Sequence, residues 1–274
     1  MATVEIITTM YNDSLLAPLF RKHYSFADRI TIFYDQETSD NTLDFISGQS
    51  KVKIIPFRFP DKFDDEIKMS NMNKHFIKTQ CDWVVGVDSD EFVFYPQGGE
   101  MILDLTVFLD DLGPLINAVA ARMLDIYRHV DDKDLDFSQP PVFQRRHGNA
   151  PLFPDKINWK YVLLKNDAAA YWSPGCHRLR NLPTGLSLAN FFIRKGLLPG
   201  RRRRMVQLYP FMDLMLAHWQ KADPIIVKER FIKTRKGRMG AKNLERGHAD
   251  YYLSAEEDAM MATCRDHEHD PQLF

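Results

Sequence analysis

Three cysteines, Cys81, Cys176 and Cys264, lie far apart in 274 residues. An odd, scattered set forms neither a disulfide framework nor a metal-ligand pattern, and it favours a reducing compartment. No apolar run is long enough to span a bilayer. The first residues, Met-Ala-Thr-Val-Glu-Ile-Ile, lead into a strand-like segment without a basic, signal-type stretch. The expectation is a soluble cytoplasmic protein. A formal net charge of -1 supplies no global field for nucleic acid. Internal repeats are absent as well. Hydrophobic residues, at 45%, suffice for one large core.

The richest segment is Asp82-Trp83-Val84-Val85-Gly86-Val87-Asp88-Ser89-Asp90-Glu91-Phe92. An apolar, β-branched run of this kind reads as a buried strand. It stops at three acids in four positions. In open α/β sheets ligands collect beyond the carboxyl ends of the strands. Extended backbone would turn the Asp88 and Asp90 carboxylates to one side. Such a pair suits Mg²⁺ or Mn²⁺ bridging to a diphosphate. The plainer reading is a solvated acidic turn, and an Asp-X-Asp tripeptide alone does not decide between them.

Around this segment the chain alternates. Val4–Thr8, Arg29–Tyr34 and Val52–Phe57 read as strands, with helices after Asn12-Asp13-Ser14, after Ser39–Thr42 and over 65–80. The order β-α-β-α-β-α-β implies a parallel sheet with helices on both faces. A helix over 103–117 and a strand over Ala118–Tyr127 follow. Residues 131–160 read as a long loop. Lys160–Lys165 and Met215–Trp219 read as strands, Leu188–Leu198 as helical, and 224–236 as a basic amphipathic helix. The tail His267-Glu268-His269-Asp270 is expected to fray.

Four marks give the chain a family resemblance. Thr9-Met10-Tyr11-Asn12-Asp13 is similar to a Lys-Asn-Glu turn. Tyr34 to Thr42 is similar to an Asp-(Asp/Asn)-X-Ser-X-Asp-X-Thr loop. Lys68 and Asn73 precede Asp88-Ser89-Asp90-Glu91-Phe92 at a matching spacing. His218-Trp219-Gln220-Lys221, with Lys228 and Phe231, resembles a late His-Tyr segment. Together they resemble GT-A type glycosyltransferases of the family 2-like and family 92-like group. The first three marks cover residues 4–95; beyond them the match is scattered. Asp13 replaces the usual Glu, Gln36-Glu37 replaces a small, Gly-containing sequence, and no catalytic-base motif of family 2 is found.

The resemblance implies an α/β fold, with a Rossmann-like, mostly parallel sheet and helices on both faces. One domain is expected, with a nucleotide-sugar half over 1–127, an acceptor and metal-completing half over 128–236, and an extension over 237–274. It implies metal-dependent transfer from a nucleotide-diphosphate sugar, UDP-linked by preference, to a glycan or lipid-linked acceptor in surface-polysaccharide synthesis. Mn²⁺ or Mg²⁺ would sit on Asp88, Asp90 and His218. Asn12, Asp35, Lys68, Asn73, Asp88, His177 and Lys221 would face the donor. Several have a structural alternative: a turn cap for Asp35, a solvated helix face for Lys68 and Asn73, a packed core ring for His218, plain solvation for Lys221. Asp125 or Asp155 is a candidate general base. Trp159 and Trp172 are either core or sugar-stacking residues.

Arg201–Arg204 is the one strong charge run, beside Phe191, Phe192, Leu197 and Leu198. It reads either as a solvated loop or as a peripheral contact with anionic lipid at the inner membrane face. Two rivals share the fold: a sugar nucleotidyltransferase, whose Gly-rich, basic N-terminal loop is not found, and a non-catalytic carbohydrate-binding protein.

Overall fold

The computed structural model describes residues 1–149, 159–176, 178–181, 214–230, 238, 240 and 257–274. Strands β1 (Val4–Met10), β2 (Arg29–Asp35), β3 (Val52–Phe57) and β4 (Trp83–Gly86) pair in parallel, in the spatial order β3-β2-β1-β4. Helices α1 (Leu16–His23), α2 (Thr42–Ile46) and α3 (Asp65–Phe76) make the connections. Asp64 starts α3 by accepting from the Glu66 and Ile67 amides, which satisfies two donors that a helix leaves open.

Side chains alternate across the strands, so the two faces bury different sets. Val4, Ile6, Trp83, Val85 and Val87 join the larger core with Leu16, Leu19 and Phe20 of α1. Leu105, Phe108 and Leu109 of α4 (Leu105–Asp111) close the same face. Ile7 and Val84 turn the other way, onto Met69, Met72 and Phe76 of α3. The expected helix over 103–117 is therefore confined to α4.

The remaining strands are β5 (Glu91–Gln97), β6 (Glu100–Ile102), β7 (Ala118–Tyr127), β8 (His147–Asn149), β9 (Trp159–Lys165), β10 (Ala170–Trp172), β11 (Leu179–Asn181) and β12 (Met215–Lys221). The main sheet runs β3-β2-β1-β4-β9-β7-β12-β5-β6, with β8 on β7, and β10 and β11 pair separately. Strands β5, β8 and β9 oppose the other seven, so the sheet is mixed and mostly parallel, as expected of the α/β class.

Three local differences matter. Residues 88–90 are not extended: the Glu91 amide donates to the Asp88 carbonyl at 3.1 Å, a turn that sends the chain back as β5. The expected geometry, with both carboxylates on one side of a strand, is replaced by this turn. β5 itself was not anticipated. Nor does the tail fray. The Val130 amide donates to the Glu268 carbonyl and the Leu273 amide to the Arg146 carbonyl, each at 2.8 Å. The Phe274 ring lies 4.7 Å from that of Phe94. Apolar Leu273 and Phe274 pack against the main core and hold the segment down. Among the described residues no helix is long and apolar enough to cross a membrane.

Candidate functional site

Polar groups gather where β1, β2 and β4 end, at the position a parallel sheet leaves for ligands. Asn12, in the left-handed region at φ 46°, receives the Ser39 amide on Oδ1 at 2.7 Å and the Asp40 amide at 3.3 Å. Asn is among the few non-glycine residues that tolerate this backbone. The Asp13 amide donates to Thr42 Oγ1 at 2.7 Å, and the Ser14 amide to Asp40 at 2.9 Å. These bonds tie the loops after β1 and β2 together.

Asp88 and Asp90 serve different neighbours. Asp88 is paired with Lys68 of α3, and Lys160 of β9 stands 3.7 Å from its other oxygen. Lys160 is also paired with Glu91, whose second oxygen accepts the Asp88 amide at 3.0 Å. Burial opposes charge on both lysines, but Asp88 and Asp65 at Lys68, and Glu91 and Asp88 at Lys160, more than offset it and raise both. Cys176 lies in the same field, and burial pushes its thiol up to about 12. It is a poor nucleophile there.

Asp90 is buried and paired with Arg230, which also donates through Nε to Asp13 and through Nη2 to Ser89 Oγ, each at 2.8 Å. The Ser89 hydroxyl donates in turn to Asp13 at 2.8 Å. β12 brings His218 to this point. It lies between β5 and β7, in register with Glu91 on one side and Asp125 on the other. His218 Nδ1 is 2.9 Å from Asp125, and Nε2 is 3.8 Å from Asp90 Oδ2. An ionised carboxylate only accepts, so Nδ1 carries a proton, and Nε2 is the nitrogen that faces Asp90. Burial opposes the charged ring, while Asp125 and Asp90 raise its affinity for a second proton. Burial likewise opposes ionisation of Asp125, yet His218 holds its carboxyl below the ordinary range. Asp125, expected as a general base, is engaged by the His218 ring.

A carboxylate oxygen facing an imidazole nitrogen, with a second carboxylate behind the ring, is a donor set that suits Mn²⁺ or Mg²⁺. Among the described residues no three His, Cys, Asp or Glu side chains are grouped to hold an ion by themselves. Such ions commonly keep one or two protein ligands and take others from substrate phosphates. Asp90 and His218 meet that requirement. Asp88, the third expected ligand, is instead taken up by two lysines.

The other expected residues fall as follows. Asp35 is fully buried; it accepts the Glu37 amide at 2.9 Å and is paired with Arg238, whose guanidinium lies over the Tyr11 ring. Asn73 uses its amide on backbone: Nδ2 donates to the Trp172 carbonyl and Oδ1 accepts the Trp172 amide, both at 2.9 Å. Trp172 is core, with Nε1 donating to the Tyr161 carbonyl at 2.6 Å. Trp159 is half-buried at the start of β9. Lys221 ends β12 within the electrostatic reach of Asp125. Asp155, His177, Arg201–Arg204 and Leu188–Leu198 lie outside the described residues.

Sequence reading missed Arg230, Lys160, Glu91, Asp13 and Arg238 as members of the site. Lys160 carried a signal, a charge opening an otherwise apolar strand. Arg230 and Arg238 carried none, being two among many in a basic stretch.

No protein-family model matches the chain, and no curated protein matches it. Among solved structures it is similar to S. aureus TarS 1–349, at 12% identity and TM-score 0.38, over 97% of this chain and 88% of that one. It is also similar to glucosyl-3-phosphoglycerate synthase from Mycobacterium tuberculosis in complex with Mg²⁺ and UDP. There the identity is 14% and the TM-score 0.38, over 88% of this chain and 81% of that one. TarS 1–349 in complex with UDP-GlcNAc matches at 13% identity and TM-score 0.37, over 94% and 69% of the two chains.

Proposed function

We propose that this chain is a glycosyltransferase that takes a sugar from a nucleotide-diphosphate donor, UDP-linked by preference, and passes it to a glycan or lipid-linked acceptor. The observation that carries the reading is the convergence of Asp90, in the turn after β4, with His218 of β12 and Asp125 of β7, next to an Asp88 that Lys68 and Lys160 flank. Breaking a sugar–diphosphate bond leaves negative charge on the departing diphosphate, and preorganised cations are what lower that barrier. Bound at Asp90 and His218, Mn²⁺ or Mg²⁺ would supply Lewis-acid stabilisation of that charge.

The chain's own residues do the rest. Asp125 fixes the His218 tautomer. Lys68 and Lys160 stay charged and hold Asp88 in place. The loops after β1 and β2, tied through Asn12, Ser39 and Asp40, would form the floor on which a nucleoside lies. Lys221, at the end of β12, would neutralise charge on the leaving diphosphate.

Differential scanning fluorimetry with UDP and UDP-sugars, with and without Mn²⁺, tests the reading. A ligand that binds only the native state raises the melting temperature by mass action. A rise with UDP that grows when Mn²⁺ is added is expected. If no nucleotide diphosphate moves the transition with either metal, the donor assignment is wrong.

A further inference from the structure

One atom of the site has two claimants. Asp90 Oδ2 is the oxygen 3.8 Å from His218 Nε2, and it is also the acceptor of Arg230 Nη1. An ion held between Asp90 and His218 would sit on the oxygen, and in the place, that the guanidinium cation now occupies. We infer that Arg230 is the resident counter-ion of Asp90, which a divalent cation must displace before it can bind. The inference rests on the proposed placement of the ion between Asp90 and His218.

The geometry allows that exchange at small cost in structure. Arg230 reaches Asp90 through Nη1, while its other two nitrogens serve other acceptors. Nε stays on Asp13 Oδ1 and Nη2 on Ser89 Oγ, each at 2.8 Å, when Nη1 lets go. The guanidinium is a rigid fork, so two retained bonds hold its plane beside the site. Asp13, Asp90 and Arg230 are all buried, so leaving either carboxylate without a cation is unfavourable. A protein cation that covers Asp90 in the empty site and gives way to an arriving ion avoids that state. A resident cation also weakens the ion's grip when no diphosphate is present to contribute ligands.

The test is a titration with Mn²⁺ alone, followed by electron paramagnetic resonance of free Mn²⁺, without nucleotide or acceptor. Wild type is compared with Arg230→Gln and Arg230→Lys, with folding followed by circular dichroism. Arg230→Gln removes the competing charge and should tighten Mn²⁺ binding roughly tenfold or more, since a buried carboxylate that loses its guanidinium attracts another cation strongly. Arg230→Lys, with one ammonium for three acceptors, should fall between that variant and wild type. Adding His218→Ala to Arg230→Gln should abolish the gain. Equal or weaker Mn²⁺ binding in Arg230→Gln overturns the inference and leaves Arg230 as a clasp that builds the site. If Arg230→Gln does not fold without metal, Arg230→Lys decides: tighter binding supports the role, and equal or weaker binding overturns it. Because no sugar donor is present, the result stands apart from the donor assignment, which fails or holds on nucleotide binding.

Discussion

His218 faces Asp90 across 3.8 Å because β12 slots between β5 and β7, and the register leaves no other place for the ring. Opposite His218 stand Glu91 on β5 and Asp125 on β7. The Trp219 amide donates to the Asp90 carbonyl at 2.8 Å, which pins the turn carrying Asp90 to the strand carrying His218. A slip of one residue would turn His218 to the opposite face of the sheet.

Asp125 should matter through His218. Asp125→Asn keeps the size of the side chain but removes the charge that orients the ring. Loss of such a partner usually weakens metal affinity by about 10–100-fold. Calorimetric titration of Mn²⁺ in the presence of UDP measures this directly, with circular dichroism unchanged. Wild-type affinity in the variant would show that Asp125 plays no part in positioning His218.

Asp90 and Asp88 should differ in stability. A surface carboxylate adds little to a fold, and the sequence alone suggests that Asp90 is one. In the structure Asp90 is buried, while Asp88 keeps about a third of its side-chain surface exposed (32%). Asp90→Asn should cost about 1–3 kcal/mol, the usual penalty for leaving a buried polar partner poorly satisfied. Asp88→Asn should cost less, because Lys68 retains Asp65 and Lys160 retains Glu91. Urea denaturation of both variants gives the order, and the reverse order would refute the burial argument.

What the sequence revealed follows from how local each signal is. Strands β1 to β4 and β7 are runs of β-branched and apolar residues bounded by turn-forming ones, and those patterns need no tertiary information. β5 escaped notice because Glu91–Gln97 begins where the acids end, so the turn at 88–90 read as the edge of a loop. The site divided the same way. His218 stood out through its place after an apolar strand. Arg230 did not, because its role depends on contacts with Asp13 and Asp90 across 217 and 140 residues. The docked tail was missed for a similar reason: Leu273 and Phe274 look like a polar tail's last residues until the core they cover is known.

Gly86 should tolerate no side chain. A Cβ there would lie 3.0 Å from the indole of Trp172, which is buried and fixed by its bond to the Tyr161 carbonyl. Overpacking of this kind costs about 1–3 kcal/mol. Gly86→Ala should lower the urea midpoint without changing the slope. It should also weaken nucleotide binding, since Gly86 lies two residues before Asp88. A midpoint equal to that of wild type would mean that the indole moves aside freely.

Glu5 should set the acid limb of stability. It is fully buried near the start of β1, an unusual place for a carboxylate. Burial alone would raise its pKa from 4.5, but hydrogen bonds from His75, Thr31 and Thr79 outweigh that and lower it. Thr31 Oγ1 donates at 2.6 Å, His75 Nε2 at 2.8 Å and Thr79 Oγ1 at 2.5 Å. These donors fit the ionised form, and a proton on Glu5 would take the place of one of them. A group whose folded pKa is depressed lends stability above its unfolded pKa, near 4.5, and loses it as pH falls through the folded value. Wild type should therefore weaken steeply below about pH 4.5. Glu5→Gln should be less stable than wild type at neutral pH, because its amide offers one acceptor oxygen to three donors. Its stability should also change less across the acid range, so that the two curves approach one another as pH falls. Urea midpoints collected from neutral to acid pH decide the matter. Parallel curves would show that Glu5 is not the group whose protonation drives the loss.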